Sequence, residues 1–336
     1  MTRRQPDEDD VRVRPTRRGS RPRTKERPSH AGAHRGVVVA VDRGRYTCLL
    51  RTDSGDGPRV TAMRARELGR GSVVVGDEVA LVGDVSGTPG TLARIVRVEP
   101  RRTVLRRTAD DDDPYERVIV ANAEQLVVVA SLADPPPRVG LIDRCLVAAY
   151  VGGLDPVLCL TKADLVEGTD ATEELLSLYS DLGVPAVTTR RGTEPTELRA
   201  RLTGRVSVLV GHSGVGKSTL VNTLVPRADR ATGAVSAVGR GRHTSSSVVA
   251  LRLADDGWVI DTPGIRSFGL AHVHPADLLA ALPDLAEGAT HCPPGCDHTS
   301  AQTGCTLDDW VARGHASPAR LASYRRLLAS RSTEDY

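Results

Sequence analysis

Between residues 34 and 104 apolar and polar positions change over in short runs: R-G-V-V-V-A-V, Y-T-C-L-L-R, R-V-T-A-M-R-A, V-V-V-G-D-E-V-A-L-V and L-A-R-I-V-R-V. Gly, Asp and Pro part them at fairly even spacing. Short strands with regular turn signals predict a small antiparallel barrel. Arg alternates with Val on several of them, which allows a basic outer face.

After the acidic run Asp110–Pro114, which reads as a linker, the pattern changes. Continuous apolar stretches at 125–131, 156–161, 184–189 and 206–211 alternate with helix-like segments, L-I-D-R-C-L-V-A-A-Y, T-E-E-L-L-S-L-Y-S-D-L, E-L-R-A-R-L and K-S-T-L-V-N-T-L-V. Unbroken apolar strands alternating with helices predict a parallel sheet covered on both faces. S-V-V-A-L-R-L and G-W-V-I-D add two strands. From about residue 272 the chain reads as helical. The expected organisation is a tail over 1–33, a barrel over 34–104, an α/β domain over 115–271 and a helical domain over 272–336. No internal repeat is visible.

Composition narrows the class. Hydrophobic residues make 40% and charged residues 26%, ordinary for a soluble protein, while aromatics at 3% rule out repeated base stacking. No apolar run approaches the roughly 18 residues a spanning helix needs, and no secretory signal is evident. A cytoplasmic protein is expected, a monomer, with neither membrane nor DNA as partner. The net charge of +3 is unevenly spread, since residues 1–35 carry eleven Lys/Arg against five Asp/Glu. That segment buries too little to offset its ordering entropy and is expected to be disordered. It serves either as an arm gripping phosphate backbones or as a solubilising tail.

The strongest chemical signal is G-H-S-G-V-G-K-S, which fits G-x-x-x-x-G-K-[ST] between an apolar strand and a helix. Gly211, His212, Ser213, Gly214, Val215, Gly216, Lys217, Ser218 and Thr219 would cradle phosphates at a helix N-terminus. Lys217 would reach the β- and γ-phosphates, and the Ser218 hydroxyl would bind Mg²⁺. W-V-I-D-T-P-G supplies a second part: Asp261 for the Mg²⁺ shell and the Gly264 N–H for the γ-phosphate. Between them G-R-G-R-H-T-S-S-S, 239–247, offers Thr244 or Ser245 to the metal.

L-C-L-T-K-A-D-L places Thr161, Lys162, Ala163 and Asp164 at a strand end. A carboxylate accepts from N1–H and the 2-amino group of guanine, a donor pair adenine lacks. Asp164 is therefore the guanine reader, with the Lys162 stem along the ring and Thr188 and Thr189 closing the pocket from the next strand end. These base-reading residues precede the phosphate loop. A nucleotide sits at the carboxyl ends of parallel strands, which can be connected in any order that keeps the sheet. The order is that of a circular permutation.

Cys48, Cys145 and Cys159 stand singly in apolar stretches as buried small hydrophobes. Cys292, Cys296 and Cys305 crowd together with His298. Three thiolates and an imidazole close a tetrahedral Zn²⁺ site with no open position, so the expected role is structural. His291 is an alternative ligand, disfavoured because it adjoins Cys292.

In sequence order A-N-A-E-Q-L-V-V-V, L-I-D-R-C-L-V-A-A, G-H-S-G-V-G-K-S-T-L, G-R-H-T-S-S-S and D-T-P-G-I-R-S-F-G-L resemble the RsgA family of circularly permuted, ribosome small subunit-dependent GTPases. The likeness runs over roughly residues 34–330. It implies an N-terminal OB-fold, a permuted P-loop GTPase domain, a C-terminal zinc domain, and work on the late-assembling small ribosomal subunit and its rRNA. It also implies a catalytic role for His243, alongside Lys217 and Thr244. Holding the loop in shape is the other reading of His243. Ile265 stands where many GTPases place a water-orienting Gln, so hydrolysis should be slow until the ribosome accelerates it. Three positions depart from the family. Thr161 replaces a frequent Asn, which implies a weaker brace for the pocket. His212 replaces a frequent Gln, and serines follow Thr244 in place of threonines. The zinc spacing C-x3-C-x-H-x6-C also differs from the family's C-x4-C-x-H-x5-C. An RNA-binding assembly chaperone holding GTP as a structural ligand is the competing function.

Overall fold

The computed structural model describes residues 30–53, 55–69, 71–108, 115–225, 248–263, 268–270, 273–301 and 304–330. Residues 1–29 of the expected tail, the acidic run, the 239–247 loop with His243, Thr244 and Ser245, and Gly264 and Ile265 lie outside the described residues.

Five strands form the barrel: β1 (His34–Asp42), β2 (Arg45–Thr52), β3 (Gly55–Arg64), β4 (Glu78–Gly83) and β5 (Ala93–Val98). They run in the order β1-β2-β3-β5-β4 and close through a β1–β4 pairing. All pairings are antiparallel except β3 with β5. Closure leaves the barrel no edge of its own. Inward residues alternate along the strands, so Val38, Cys48, Val60, Leu81 and Ile95 fill the interior.

The hairpin of β6 (Val104–Arg107) and β7 (Arg117–Ala121) follows. It flanks the acidic run and was not anticipated, because four residues of V-L-R-R are too few to show a period.

The α/β layer comprises β8 (Gln125–Ser131), α1 (Val139–Gly152), β9 (Asp155–Thr161), α2 (Asp170–Ser180), β10 (Ala186–Thr188), α3 (Thr196–Leu202), β11 (Val206–Val210), α4 (Lys217–Leu224), β12 (Val249–Arg252) and β13 (Trp258–Asp261). The sheet order is β10-β9-β8-β11-β13-β12. Five strands are parallel, and β12 runs antiparallel to β13. The order reverses at β11, the point in an open sheet where ligands bind beyond the carboxyl ends. Alternation divides the strands between two cores. Leu126, Val128, Leu158, Leu160, Val208 and Val210 face α1, whereas Val127, Val129, Val157, Leu209 and Val259 face α3 and α4.

Among the described residues that follow, the α-helices are α5 (Pro275–Ala280), α6 (Pro283–Ala289), α7 (Leu307–Ala312) and α8 (Pro318–Ser330). Leu278, Leu285, Leu307, Tyr324 and Leu327 share one core with α1. Among the described residues no helix is long and apolar enough to cross a membrane.

Contacts that fasten the barrel to the α/β layer include the Arg252–Asp56 pair at 3.3 Å between β12 and β3. Ala40 of β1 pairs with Val249 of β12, and the buried Asn122, from A-N-A-E, ties three segments together. Its amide nitrogen donates to Gly76 O at 2.9 Å and its oxygen accepts from Arg102 N at 2.8 Å, while its own N–H donates to Thr103 O at 2.9 Å. Asn122→Ala strands a buried acceptor, Gly76 O, and a partly buried donor, Arg102 N, at once. The expected loss is about 2 kcal/mol or more, read from urea unfolding, and a loss under about 0.5 kcal/mol would mean that the junction does not depend on this side chain.

Candidate nucleotide and metal sites

The phosphate-loop residues occupy the turn from β11 into α4, as the apolar strand and following helix pattern predict. Gly211 leaves β11 so close to β8 that a Cβ there would lie 2.4 Å from Val129 O. Gly216 takes φ +91° just before α4, a conformation side chains resist. These two positions let the backbone wrap a ligand and then enter a helix whose first N–H groups are free for an anion. Ser213, Gly214, Ser218 and Thr219 are exposed on this turn, whereas Val215 is buried beneath it. His212 is partly exposed and turns its Nδ1 to Ser213 O at 2.7 Å.

Lys217 is only 8% exposed. Its ammonium is held by the Asp261 carboxylate and by Thr262 O. Asp261 ends β13, beside Leu209 of β11 in the parallel register. The Thr262 hydroxyl is buried and donates to Leu209 O at 2.7 Å. Lysine, carboxylate and serine hydroxyl are thus delivered to one end of the sheet by neighbouring strands.

The base motif arrives at the same end from β9. Thr161 is buried, and its hydroxyl donates to Val215 O of the phosphate loop. The loop therefore keeps a brace at the position where the missing amide implied a weaker one. A threonine hydroxyl suffices because the two chain segments lie close: a Cβ on Gly216 would be 3.7 Å from Thr161 Oγ1. Lys162 adopts φ +59° and directs its ammonium to Asp134 O. Ala163 N donates to Thr189 O at 3.2 Å, and Thr189 N to Leu160 O at 2.7 Å, which stitches the two strand ends together.

Asp164 is exposed and accepts from Arg191 N at 3.0 Å. That bond, its own N–H and the Arg190 and Arg191 guanidinium groups hold its carboxyl below the usual carboxylate range. It is an anion wherever a guanine would be read. Thr188 is exposed at the end of β10, and Thr189 is buried beside it.

The second cluster lies between α6 and α7. The ligand atoms of Cys292, Cys296, His298 and Cys305 all fall within 4.8 Å of one another. Cys292 Sγ stands 3.5 Å from His298 Nδ1 and 3.9 Å from Cys305 Sγ, and Cys305 Sγ stands 3.7 Å from His298 Nδ1. Tetrahedral Zn²⁺ with Zn–S near 2.3 Å requires ligand separations of about 3.5–3.8 Å, so these residues fit the ion. His298 adopts a left-handed backbone, φ +60°. Burial pushes the Cys292 thiol up, but Thr306, through its hydroxyl at 3.1 Å and its N–H at 3.4 Å, and then Cys305 and Cys296, bring it below the usual thiol range. Such donors favour the thiolate a metal needs. His291 lies instead against Trp310, ring centroids 5.6 Å apart. By contrast Cys48, Cys145 and Cys159 are buried, and burial pushes each thiol up to about 12.

The segment L-I-D-R, expected only to be helical, carries a buried pair, Asp143 and Arg144. Asp143 is 2% and Arg144 3% exposed. Asp143 accepts from Arg326 Nε of α8 at 3.0 Å, a partner that no local pattern reveals.

Residues 98–271 match the family described as RsgA GTPase. The small ribosomal subunit biogenesis GTPase RsgA of Pseudomonas aeruginosa is 39% identical over 271 residues, covering 79% of this chain and 78% of that protein. Its counterpart from Chlorobaculum parvum is 36% identical over 308 residues, covering 88% and 97%. Among solved structures, YjeQ from Thermotoga maritima superposes with a TM-score of 0.63 at 25% identity, over 89% of this chain and 98% of that one. YloQ, a circularly permuted GTPase, superposes with a TM-score of 0.61 at 22% identity, over 90% and 96%, and supports the fold.

Two outcomes are expected. Thr161→Val keeps the shape but removes the hydroxyl brace, and should weaken GDP binding about three- to tenfold by calorimetry; unchanged affinity would show that the brace does not matter. The purified protein should carry one zinc per chain. Cys292→Ser or exhaustive chelation should remove it and lower the melting temperature, by roughly 2–4 °C for each kcal/mol lost, whereas a metal-free protein of equal stability would contradict the assignment.

Proposed function

The chain belongs to the RsgA GTPase family, and from that premise we propose that it hydrolyses GTP and uses nucleotide state to time its binding to, and release from, the maturing small ribosomal subunit. The observation that carries this reading is the single end of the sheet at which Asp164, Lys217 and Asp261 meet, with Thr161 joining base motif to phosphate loop.

In this reading Asp164 accepts from guanine, Lys162, Ala163, Thr188 and Thr189 wall the base, and Gly211 to Thr219 hold the phosphates. Lys217 exchanges its contact with Asp261 for the β- and γ-phosphates, which frees the carboxylate. Ser218, Asp261 and Thr244 or Ser245 would hold Mg²⁺, which would supply neutralisation of phosphate charge. Gly264 would offer its N–H to the γ-phosphate. Ile265 cannot orient water, so the attacking water is held by another group. His243 is the candidate from this chain, since an imidazole near neutrality can fix a water or accept a proton. The ribosome would complete the site.

The Cys/His cluster would hold Zn²⁺ as a structural centre. The barrel, with its arginines, and the basic N-terminal segment would grip rRNA through phosphates and shape. Three working parts follow, barrel, permuted GTPase domain and zinc-binding helices, in a monomer acting in the cytoplasm.

Hydrolysis measured alone, with small subunits, with large subunits and with ATP in place of GTP tests this directly. Strong stimulation by small subunits only, with ATP inert, is expected. Tight GTP binding without stimulation would favour a chaperone that keeps the nucleotide as a structural ligand. Asp164→Asn exchanges the acceptor for an amide donor, so GTP affinity should fall at least about a hundredfold while xanthosine triphosphate gains; retained GTP preference would overturn the role of Asp164. His243→Ala should reduce stimulated kcat with little change in KM if His243 acts in the chemistry, and an unchanged kcat would remove it from the mechanism.

A further inference from the structure

Arg144 is a buried cation to which none of the nucleotide chemistry assigns a task. It sits on α1 with 3% exposure. Its Nε donates to Phe268 O at 3.0 Å, and its terminal nitrogen donates to Ser330 O. Phe268 lies just beyond the D-T-P-G turn, and Ser330 is the last residue of α8. A guanidinium is stable at such depth only when its rigid fork of donors is matched.

The same short segment is held from the other side. Thr108 N, at the end of β6, donates to Gly269 O at 3.0 Å, and Phe268 and Leu270 are both wholly buried. At the entrance to the turn, Thr262 is fixed by its hydroxyl to Leu209 O at 2.7 Å, and Lys217 grips its carbonyl. The described residues on both sides of 264–267 are therefore tied down: Thr262 to the phosphate loop, Phe268 and Gly269 to α1 and β6.

The middle of α8 reaches the cysteine and histidine cluster. Arg325 of α8 donates to His298 O at 3.2 Å and forms a bidentate pair with Asp308 of α7 at 2.8 and 2.6 Å. Arg326 and Arg320 of α8 donate to Leu178 O and Asp181 O, at and just beyond the end of α2. α8 thus touches the cluster, the helix that follows the base motif and, through Arg144, the exit of the D-T-P-G turn.

We propose that Arg144 is a positioning residue for hydrolysis, fixing the exit of the D-T-P-G turn against the end of α8 so that nucleotide state is passed to the metal-bearing helices. This rests on the reading of the phosphate loop as a GTP site. Lysine at position 144 keeps the charge but cannot span both carbonyls.

The test uses the full-length zinc-loaded protein with GDP or a non-hydrolysable GTP analogue. In the unmodified protein, amide hydrogen exchange over residues 327–330 should differ between the two nucleotides. Identical exchange there would overturn the proposal whatever any variant does. Arg144→Lys should bind GDP within about threefold of the parent, lose that difference, and lose about tenfold or more in subunit-stimulated kcat at little changed KM. Ile95→Val, in the barrel core rather than the core that holds Phe268 and Leu327, should keep the difference. Its loss in both variants would mean general loosening and would overturn the specific role of Arg144. Failure of the unmodified protein to bind either nucleotide would overturn this proposal together with the functional reading beneath it. Binding with state-independent exchange would overturn this proposal alone.

Discussion

The parallel pairing of β8 with β11, Val127 beside Leu209 and Val128 beside Val210, is the contact on which the remainder depends. It joins segments far apart in the chain and closes the gap left by the rotated strand order. Loop closure over such a length costs entropy that grows only slowly with length. Burial of Leu126, Val128, Val208 and Val210 on one face, and of Val127, Val129 and Leu209 on the other, offsets it. The approach is so close at the top of the pair that only glycine fits at position 211. The constraint that holds the sheet together is also the one that shapes the phosphate loop.

From that seam the site assembles by strand order alone. β13 sets Asp261 on one side of the phosphate loop, and β9, with β10 beyond it, carries the base motif on the other. The chain visits the base side first, yet the carboxyl ends meet in one place, so the permutation leaves the geometry of the site intact. The Thr161 hydroxyl on Val215 O and the Lys217 ammonium on Asp261 are the two bonds that lock these neighbours in register.

Much of this was legible because the signals were local. Unbroken apolar runs marked the buried strands, the glycine spacing marked the phosphate loop, and the cysteine and histidine spacing marked a cluster whose ligand atoms do converge. Other features rest on partners remote in sequence. L-I-D-R gives no local sign that Arg326 and Ser330 of α8 will partner Asp143 and Arg144. The hairpin β6–β7 has too few residues to declare a period. Thr161 looked like a weakened brace, because the distance its hydroxyl must span depends on how closely β9 and the phosphate loop pack.

The central claim is that one end of this sheet forms a guanine-nucleotide switch read by the small subunit. Its most direct test compares the affinity of the full-length protein for isolated small subunits in the GDP state and with a non-hydrolysable GTP analogue. The account expects at least about tenfold tighter binding with the analogue, equivalent to about 1.4 kcal/mol, and no such difference for large subunits. Equal affinity in both nucleotide states would contradict it.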